Sequence, residues 1–224
     1  MAFVENKELF LRKVTLWDDP WEGLDRQIPR MRDNGDLEYP NCSLAESVVG
    51  QCWTYEKDSD AMWRIYSSDK LGIMIESKAS NFRTIENLKR AILVKVKYFN
   101  NENFLSKWHE INNDRSYRFA GTMALKREAF KHENEVRLLV CMQGYYDEDI
   151  NPWDLKSYGF KVNPFEFVES ITVDPRAEEW YVNTIKKYCD SKGFNCSVSK
   201  SNLYQTRFSE EIKLVQTYVP VKKD

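Results

Sequence analysis

Apolar and polar positions fall into short alternating runs separated by turn residues, with helical stretches set between them. Leu9 to Val14 alternates and runs into the turn Asp18-Asp19-Pro20, where proline fixes φ and keeps the preceding residue extended, so a first strand is predicted there. Val48 to Tyr55 and Leu71 to Glu76 predict two more strands, and Ser59-Asp60 supplies side-chain oxygens to start a short helix through Tyr66. Ile92, Val94, Val96 and Tyr98 alternate with Leu93, Lys95 and Lys97, the period-two pattern of a half-buried strand running to Phe99. Glu102 to about Lys131 predicts mainly helix, broken near Gly121. Glu135 to Met142 is the most strongly β-like segment, and Phe165 to Asp174 is another. Pro175, Trp180, Ile185, Tyr188 and Gly193 mark an amphipathic helix and its stop, and Phe194 to Val198 and Lys213 to Val221 predict further extended segments.

The predicted strands cluster, with helices between the clusters and no regular βαβ alternation. That pattern implies an α+β fold with a mixed or antiparallel sheet and flanking helices. Neither GxGxxG nor GxxxxGK occurs, so the glycine-rich phosphate loops of Rossmann and P-loop proteins are excluded. No repeat or Pro/Gly/Ser-rich linker interrupts the chain, which reads as a single domain over residues 1–224, with a C-terminal extension able to begin at about 202.

Composition narrows the class. With 33 Lys and Arg against 35 Asp and Glu the net charge is -2, so no global basic field draws in nucleic acid or an anionic membrane. The longest apolar run, Leu138-Leu139-Val140-Cys141-Met142, is far short of the roughly 20 residues that span a bilayer, and the N-terminus lacks a signal-peptide pattern. A cytoplasmic location with no membrane partner is expected. Cys42, Cys52, Cys141, Cys189 and Cys196 form no CxxC pair and are expected to be reduced, buried thiols; with only His109 and His132 beside them, no metal site is expected.

Several motifs then line up. Leu11-Arg12, Trp17-Asp18-Asp19-Pro20-Trp21-Glu22-Gly23, Cys52-Trp53-Thr54, Met62-Trp63-Arg64-Ile65-Tyr66, Gly72-Ile73-Met74-Ile75-Glu76 and Phe130 through Leu138 occur in this order. Together they resemble a widespread prokaryotic domain-of-unknown-function family with a DPxE, MWxxY and KxExExR pattern, over about residues 5 to 200. That resemblance implies no established activity. Arg12 on a first strand, Ser67-Ser68 in the middle and Glu133-x-Glu135 on a later strand are similar to the Arg, Ser, Glu-x-Glu layout of NAD-dependent ADP-ribosyltransferases, although that family's Ser-Thr-Ser triplet is absent. This second resemblance implies a split, mixed β-sheet core with flanking helices, and NAD as substrate.

Under that implication Glu135 stabilises the cation that forms as the nicotinamide–ribose bond breaks, and Glu133 orients or deprotonates the nucleophile. Arg12 pairs with the pyrophosphate through its planar fork. Trp63 and Tyr66, three apart on the short helix, form a stacking wall, and Ser67 or Ser68 bonds the carboxamide. The expected function is ADP-ribosyl transfer to a macromolecule by a bacterial toxin or phage-defence effector, with a neutralising antitoxin as partner. Arg115, Arg118, Lys126, Arg127 and Lys131, read as one helix face, put RNA or DNA ahead of protein as acceptor. Two other functions compete: a metal-dependent nuclease using Asp18, Asp19, Glu133 and Glu135, and a non-catalytic interaction module. The structural alternative makes Glu133, Glu135 and Arg137 a solvated strand face, and Trp63 and Tyr66 core aromatics.

Overall fold

A computed structural model describes residues 2–22, 29–38, 44–117, 119–145 and 151–205. Gly23, Cys42, Arg118 and the extended segment predicted from Lys213 to Val221 lie outside the described residues.

Five antiparallel strands form the main sheet: β1 (Glu8–Lys13), β4 (Val48–Thr54), β6 (Ala91–Lys95), β9 (Glu135–Cys141) and β10 (Ser157–Lys161), in the order β10-β1-β4-β9-β6. A second, mixed sheet orders β12 (Ser197–Lys200), β11 (Ser170–Val173) and β5 (Ile73–Glu76), with β11 parallel to β12 and antiparallel to β5. Two small pairs complete the strands: the hairpin of β2 (Arg30–Met31) and β3 (Leu37–Glu38), and the parallel pair of β7 (Lys97–Phe99) and β8 (Leu125–Arg127). The helices are α1 (Ala2–Asn6), α2 (Asp60–Tyr66), α3 (Phe104–Asn113), α4 (Pro164–Phe167) and α5 (Glu179–Lys192). The fold is α+β, as the strand clusters imply.

The main sheet is covered on both faces, which explains why β9 is buried along its whole length. Successive residues of a strand point to opposite faces. Leu138 and Val140 join Leu11, Val49, Phe160 and Phe167 in a core shared with the second sheet and α5. Leu139 and Cys141 join Val48, Ile92, Val94 and Ile111 in a second core under α3. Glu135 and Arg137 continue this second face toward one end of the sheet, where apolar packing gives way to a cleft.

Three predicted elements differ. The helix read from Glu102 to Lys131 stops at Asn113, where the Asp114 carboxylate turns back to accept the Ser116 amide hydrogen at 2.8 Å. Beyond it, burial of Met123, Ala124 and Leu125 in the second core favours a 3-10 turn (Gly121–Ala124) and β8 over helix. A second 3-10 turn follows at Glu128–Glu133. Arg115, Lys126, Arg127 and Lys131, predicted along this helix, are therefore not on an α-helix. The strand read from Ile92 to Phe99 is two strands, because Val96 leaves the sheet edge and donates its amide hydrogen to the Glu135 carbonyl at 3.0 Å. Phe165 to Asp174 begins as α4, with Pro164 in its first turn and the Asn163 side chain accepting the Phe165 amide hydrogen, and only then becomes β11. β10 has no counterpart among the predicted elements.

Gly50 in β4 marks a close approach. A Cβ there would stand 2.8 Å from the Trp17 ring, 2.9 Å from Leu139 Cδ2 and 3.2 Å from the Leu138 carbonyl oxygen. Overpacking a filled site of this kind costs about 1–3 kcal/mol. Gly50→Ala is therefore expected to lower the free energy of unfolding by that amount, read as a lower urea midpoint with an unchanged slope; an unaltered midpoint would show that Trp17 yields freely.

Candidate active site

Arg137 sits in the middle of β9 with no exposed side-chain surface, so its charge must be met inside the protein. Its Nε and Nη2 each donate to Glu135 at 2.9 Å, its Nη1 donates to the Met123 carbonyl at 2.7 Å, and Nη2 also donates to Glu22 Oε1. The Trp17 ring lies 4.6 Å from the guanidinium carbon, adding a cation–π contact. Lys126 of β8 completes the floor, donating to Glu133 at 2.5 Å and to Glu135 at 3.1 Å, with Glu22 at 3.6 Å. Three carboxylates thus face two cations at the bottom of a cleft of about 690 Å³. That volume is in the range of ordinary small-molecule sites, roughly 300–1,000 Å³.

Local sequence explains how each group arrives. Asp19 Oδ1 accepts the Trp21 amide hydrogen and the Asp19 carbonyl accepts that of Glu22, so Asp19-Pro20-Trp21-Glu22 is a tight turn. Trp21 packs on Phe99 and Phe104, and the turn drops Glu22 onto Arg137. Asn134 has a left-handed backbone, φ 41°, a conformation that asparagine tolerates better than most residues. It ends the 3-10 turn before β9, so Glu133 reaches Lys126 from that turn and not, as predicted, by strand alternation with Glu135.

The walls are Trp17, Trp53, Met62, Ile65, Tyr66 and Phe130, with Arg12, Asp18, Asp19, Cys52, Thr54 and Arg127 filling the remainder. Met62, Ile65 and Tyr66 share one face of α2, at the i, i+3, i+4 spacing of a helix. Arg176 fixes that helix by donating to the carbonyls of Trp63 and Ser67 at its C-terminus, at 2.9 and 2.8 Å. Phe130 lies 5.0 Å from the Lys126 ammonium and 5.3 Å from the Arg127 guanidinium carbon.

Of the predicted site residues, Arg12, Tyr66, Glu133 and Glu135 line this one cleft. Trp63, Ser67 and Ser68 do not. Trp63 is 6% exposed, its Nε1 donates to Asp58 at 2.8 Å, and it lines a separate pocket of about 170 Å³ beside Met62, Tyr66 and Ser67. Ser67 is buried, and its Oγ accepts the Gly72 amide hydrogen at 2.9 Å, closing the turn into β5. Ser68 is exposed on that turn. Glu133, Glu135 and Arg137 are buried, against the reading of a solvated face. Lys126 is committed to the floor and Arg127 to Asp19 at 3.1 Å, and Lys131 stands 3.8 Å from Glu128. Cys52, expected to be buried, is exposed in the cleft opposite Arg137.

Sequence reasoning missed Glu22 and Lys126 as floor residues and Trp17 as a wall. The Asp-Pro-x-Glu spacing is the visible signal for Glu22, and Lys126 has none in its own segment. Arg12 differs from the other cations of the lining: Lys126 and Arg127 are ion-paired, whereas its exposed guanidinium makes no ion pair with any described residue. The carboxylates weighed for metal-dependent cleavage are held differently. Asp19 is paired with Arg127, the Lys126 ammonium bridges Glu133 and Glu135, and no group of three such ligands among the described residues is arranged to hold a metal ion.

Residues 62–138 match the family model described as a protein of unknown function, DUF2971. The match is narrower than the resemblance read over about residues 5 to 200, yet it takes in α2, Lys126, Glu133, Glu135 and Arg137. Arg12, Asp19 and Glu22 lie before it. No curated protein and no solved structure matches the chain. No helix among the described residues is long and apolar enough to cross a membrane.

Glu135 and Glu22 are shifted in opposite directions. Burial would raise Glu135, but hydrogen bonds and charge from Arg137, the Cys52 thiol and Lys126 outweigh it and hold the carboxyl below its usual range. Burial raises Glu22, and Arg137 and Lys126 only partly offset it. Tyr66 is pushed up to about 12 by burial and by Glu133, so its phenol stays protonated. A lowered carboxyl stabilises the fold above its unfolded pKa of about 4.3, and this contribution is lost as pH falls through the folded value. Glu135→Gln is therefore expected to cost about 3–5 kcal/mol at pH 7, the usual penalty for breaking a buried pair. The cost shrinks toward the acid end of the carboxylate range. Denaturant unfolding of both proteins across that range measures it, and a pH-independent difference would contradict the assignment.

Proposed function

We propose that the chain transfers ADP-ribose from NAD to a macromolecule, acting as a bacterial toxin or phage-defence effector with a neutralising partner. The observation that carries this reading is the meeting of Arg12 from β1, Tyr66 from α2, Glu133 from the 3-10 turn before β9 and Glu135 from the start of β9 in one cleft, over a floor with one more carboxylate than cations. Breaking the nicotinamide–ribose bond builds positive charge on the ribose, and a fixed carboxylate in a water-poor site stabilises that charge without reorganising. Glu135 has this place, ionised by its partners and immobilised on β9. Glu133, within 3.3 Å of the Tyr66 hydroxyl, orients the incoming nucleophile.

Arg12, with no carboxylate of its own, supplies a planar fork for the pyrophosphate. Tyr66, 65% exposed, and Trp17 provide flat apolar surface for the rings. Nucleic acid stays slightly ahead of protein as the acceptor, and RNA, DNA and protein all enter the assay.

Incubated with NAD and cell extract fractionated into RNA, DNA and protein, the chain is expected to release nicotinamide and to label one fraction. Glu135→Gln, checked as folded by its melting transition, is expected to lower release about 10²–10³-fold, the usual loss for one electrostatic stabiliser. Arg12→Ala, an exposed change, is expected to raise KM for NAD, since a charged hydrogen bond contributes about 1.5–3 kcal/mol. Nicotinamide release that survives both substitutions would overturn the reading.

A further inference from the structure

Glu22 is a buried carboxylate to which the transfer reading gives no task. It comes from a turn 115 residues away from Arg137, and its Oε1 accepts from Arg137 Nη2, with the Lys126 ammonium 3.6 Å away. Its other oxygen, Oε2, accepts no hydrogen bond from a described residue. It is also not sealed from solvent, because the one buried unpaired side-chain oxygen or nitrogen among the described residues is Thr122 Oγ1. Glu22 lines the cleft, so Oε2 opens into it.

The neighbouring carboxylates have less freedom. Glu135 takes two bonds from Arg137, one from Lys126 and one from the Cys52 thiol. Glu133 has one oxygen on Lys126 and the other toward Tyr66. A proton arriving on either would displace a donor already bonded there, whereas one arriving on Glu22 Oε2 displaces no described donor.

Resting on the ADP-ribosyl transfer reading, we propose that Glu22 Oε2 accepts the proton of the attacking nucleophile. In that step the C1′–N bond to nicotinamide breaks with its electron pair leaving on the ring nitrogen. A lone pair of the nucleophile forms the new bond to C1′, and the nucleophile's proton passes to Glu22 and then to water. The groups facing Glu22 are Arg137 and Glu135 on β9, Lys126 on β8 and Cys52 on β4. Carboxylates pushed apart in proton affinity within one site commonly divide the acid–base work, and burial raises Glu22 while the partners of Glu135 lower it.

Nicotinamide release from NAD with water as nucleophile, with and without sodium azide, tests this. Azide attacks without a proton to lose. Glu22→Gln is expected to slow release in water about 10²–10⁴-fold, the usual contribution of a general base. Azide is expected to restore most of the rate and to appear in the ribosyl product, while Glu135→Gln is not rescued. Glu22→Asp keeps the charge that Arg137 needs and withdraws the oxygen by one methylene, so it reads the same loss and rescue should Glu22→Gln unfold. Wild-type rates in both Glu22 variants, or a loss in folded protein that azide leaves unchanged, would overturn the role of Glu22 and leave the transfer reading standing. A wild-type chain that releases no nicotinamide under either condition overturns both.

Discussion

A guanidinium with no exposed surface, in the middle of a strand whose neighbours are apolar, is the constraint on which the site depends. Arg137 cannot be buried alone, because removing a charge from water costs several kcal/mol unless it is paired and fully hydrogen-bonded. Its partners come from far apart in the chain: Glu22 from the turn after β1, the Met123 carbonyl from the 3-10 turn before β8, Glu135 from its own strand and the Trp17 ring from the loop between. Forming the second core and forming the cleft floor are consequently one event. Gly50 belongs to the same constraint, since only a residue without a side chain lets Trp17 lie this close to β4.

Much of the scaffold was legible because period-two alternation reports sheet faces directly. β1, β4 and β9 fall where Leu9 to Val14, Val48 to Tyr55 and Glu135 to Met142 predict them, and α2 begins after Ser59 as expected. The failures share a cause: they depend on what a residue packs against, which pattern does not encode. Lys126 reads as a basic helix residue because nothing local says that β7 pairs with β8 and buries it. Trp63 and Tyr66, three apart, line one smaller pocket together, yet the indole, bonded to the Asp58 carboxylate, stays out of the main cleft that Tyr66 also lines. Glu133 was placed in the cleft for the wrong reason, strand alternation, when a left-handed Asn134 brings it there.

Arg137 also separates the behaviour of the two carboxylates it touches. Glu135 receives a two-pronged contact, a second cation and a thiol, and is held ionised. Glu22 receives one nitrogen and a more distant ammonium, and burial raises it. Position around one guanidinium, more than residue type, decides which carboxylate keeps its charge and which is better able to take a proton.

The field in the cleft therefore has a direction. Its floor holds three carboxylates against two cations and favours an added positive charge, while on its wall the Arg12 guanidinium, unmatched by any described carboxylate, favours a negative one. A nicotinamide dinucleotide carries a cationic ring at one place and an anionic pyrophosphate at another, joined by a ribose on which positive charge grows as the ring leaves. A metal ion would find the floor differently arranged, with the Lys126 ammonium already bridging Glu133 and Glu135. In the proposed transfer, a floor with one carboxylate more than its cations would stabilise the positive charge that grows on the ribose, and a charge that appears only as the bond breaks is what differential binding of a transition state acts on.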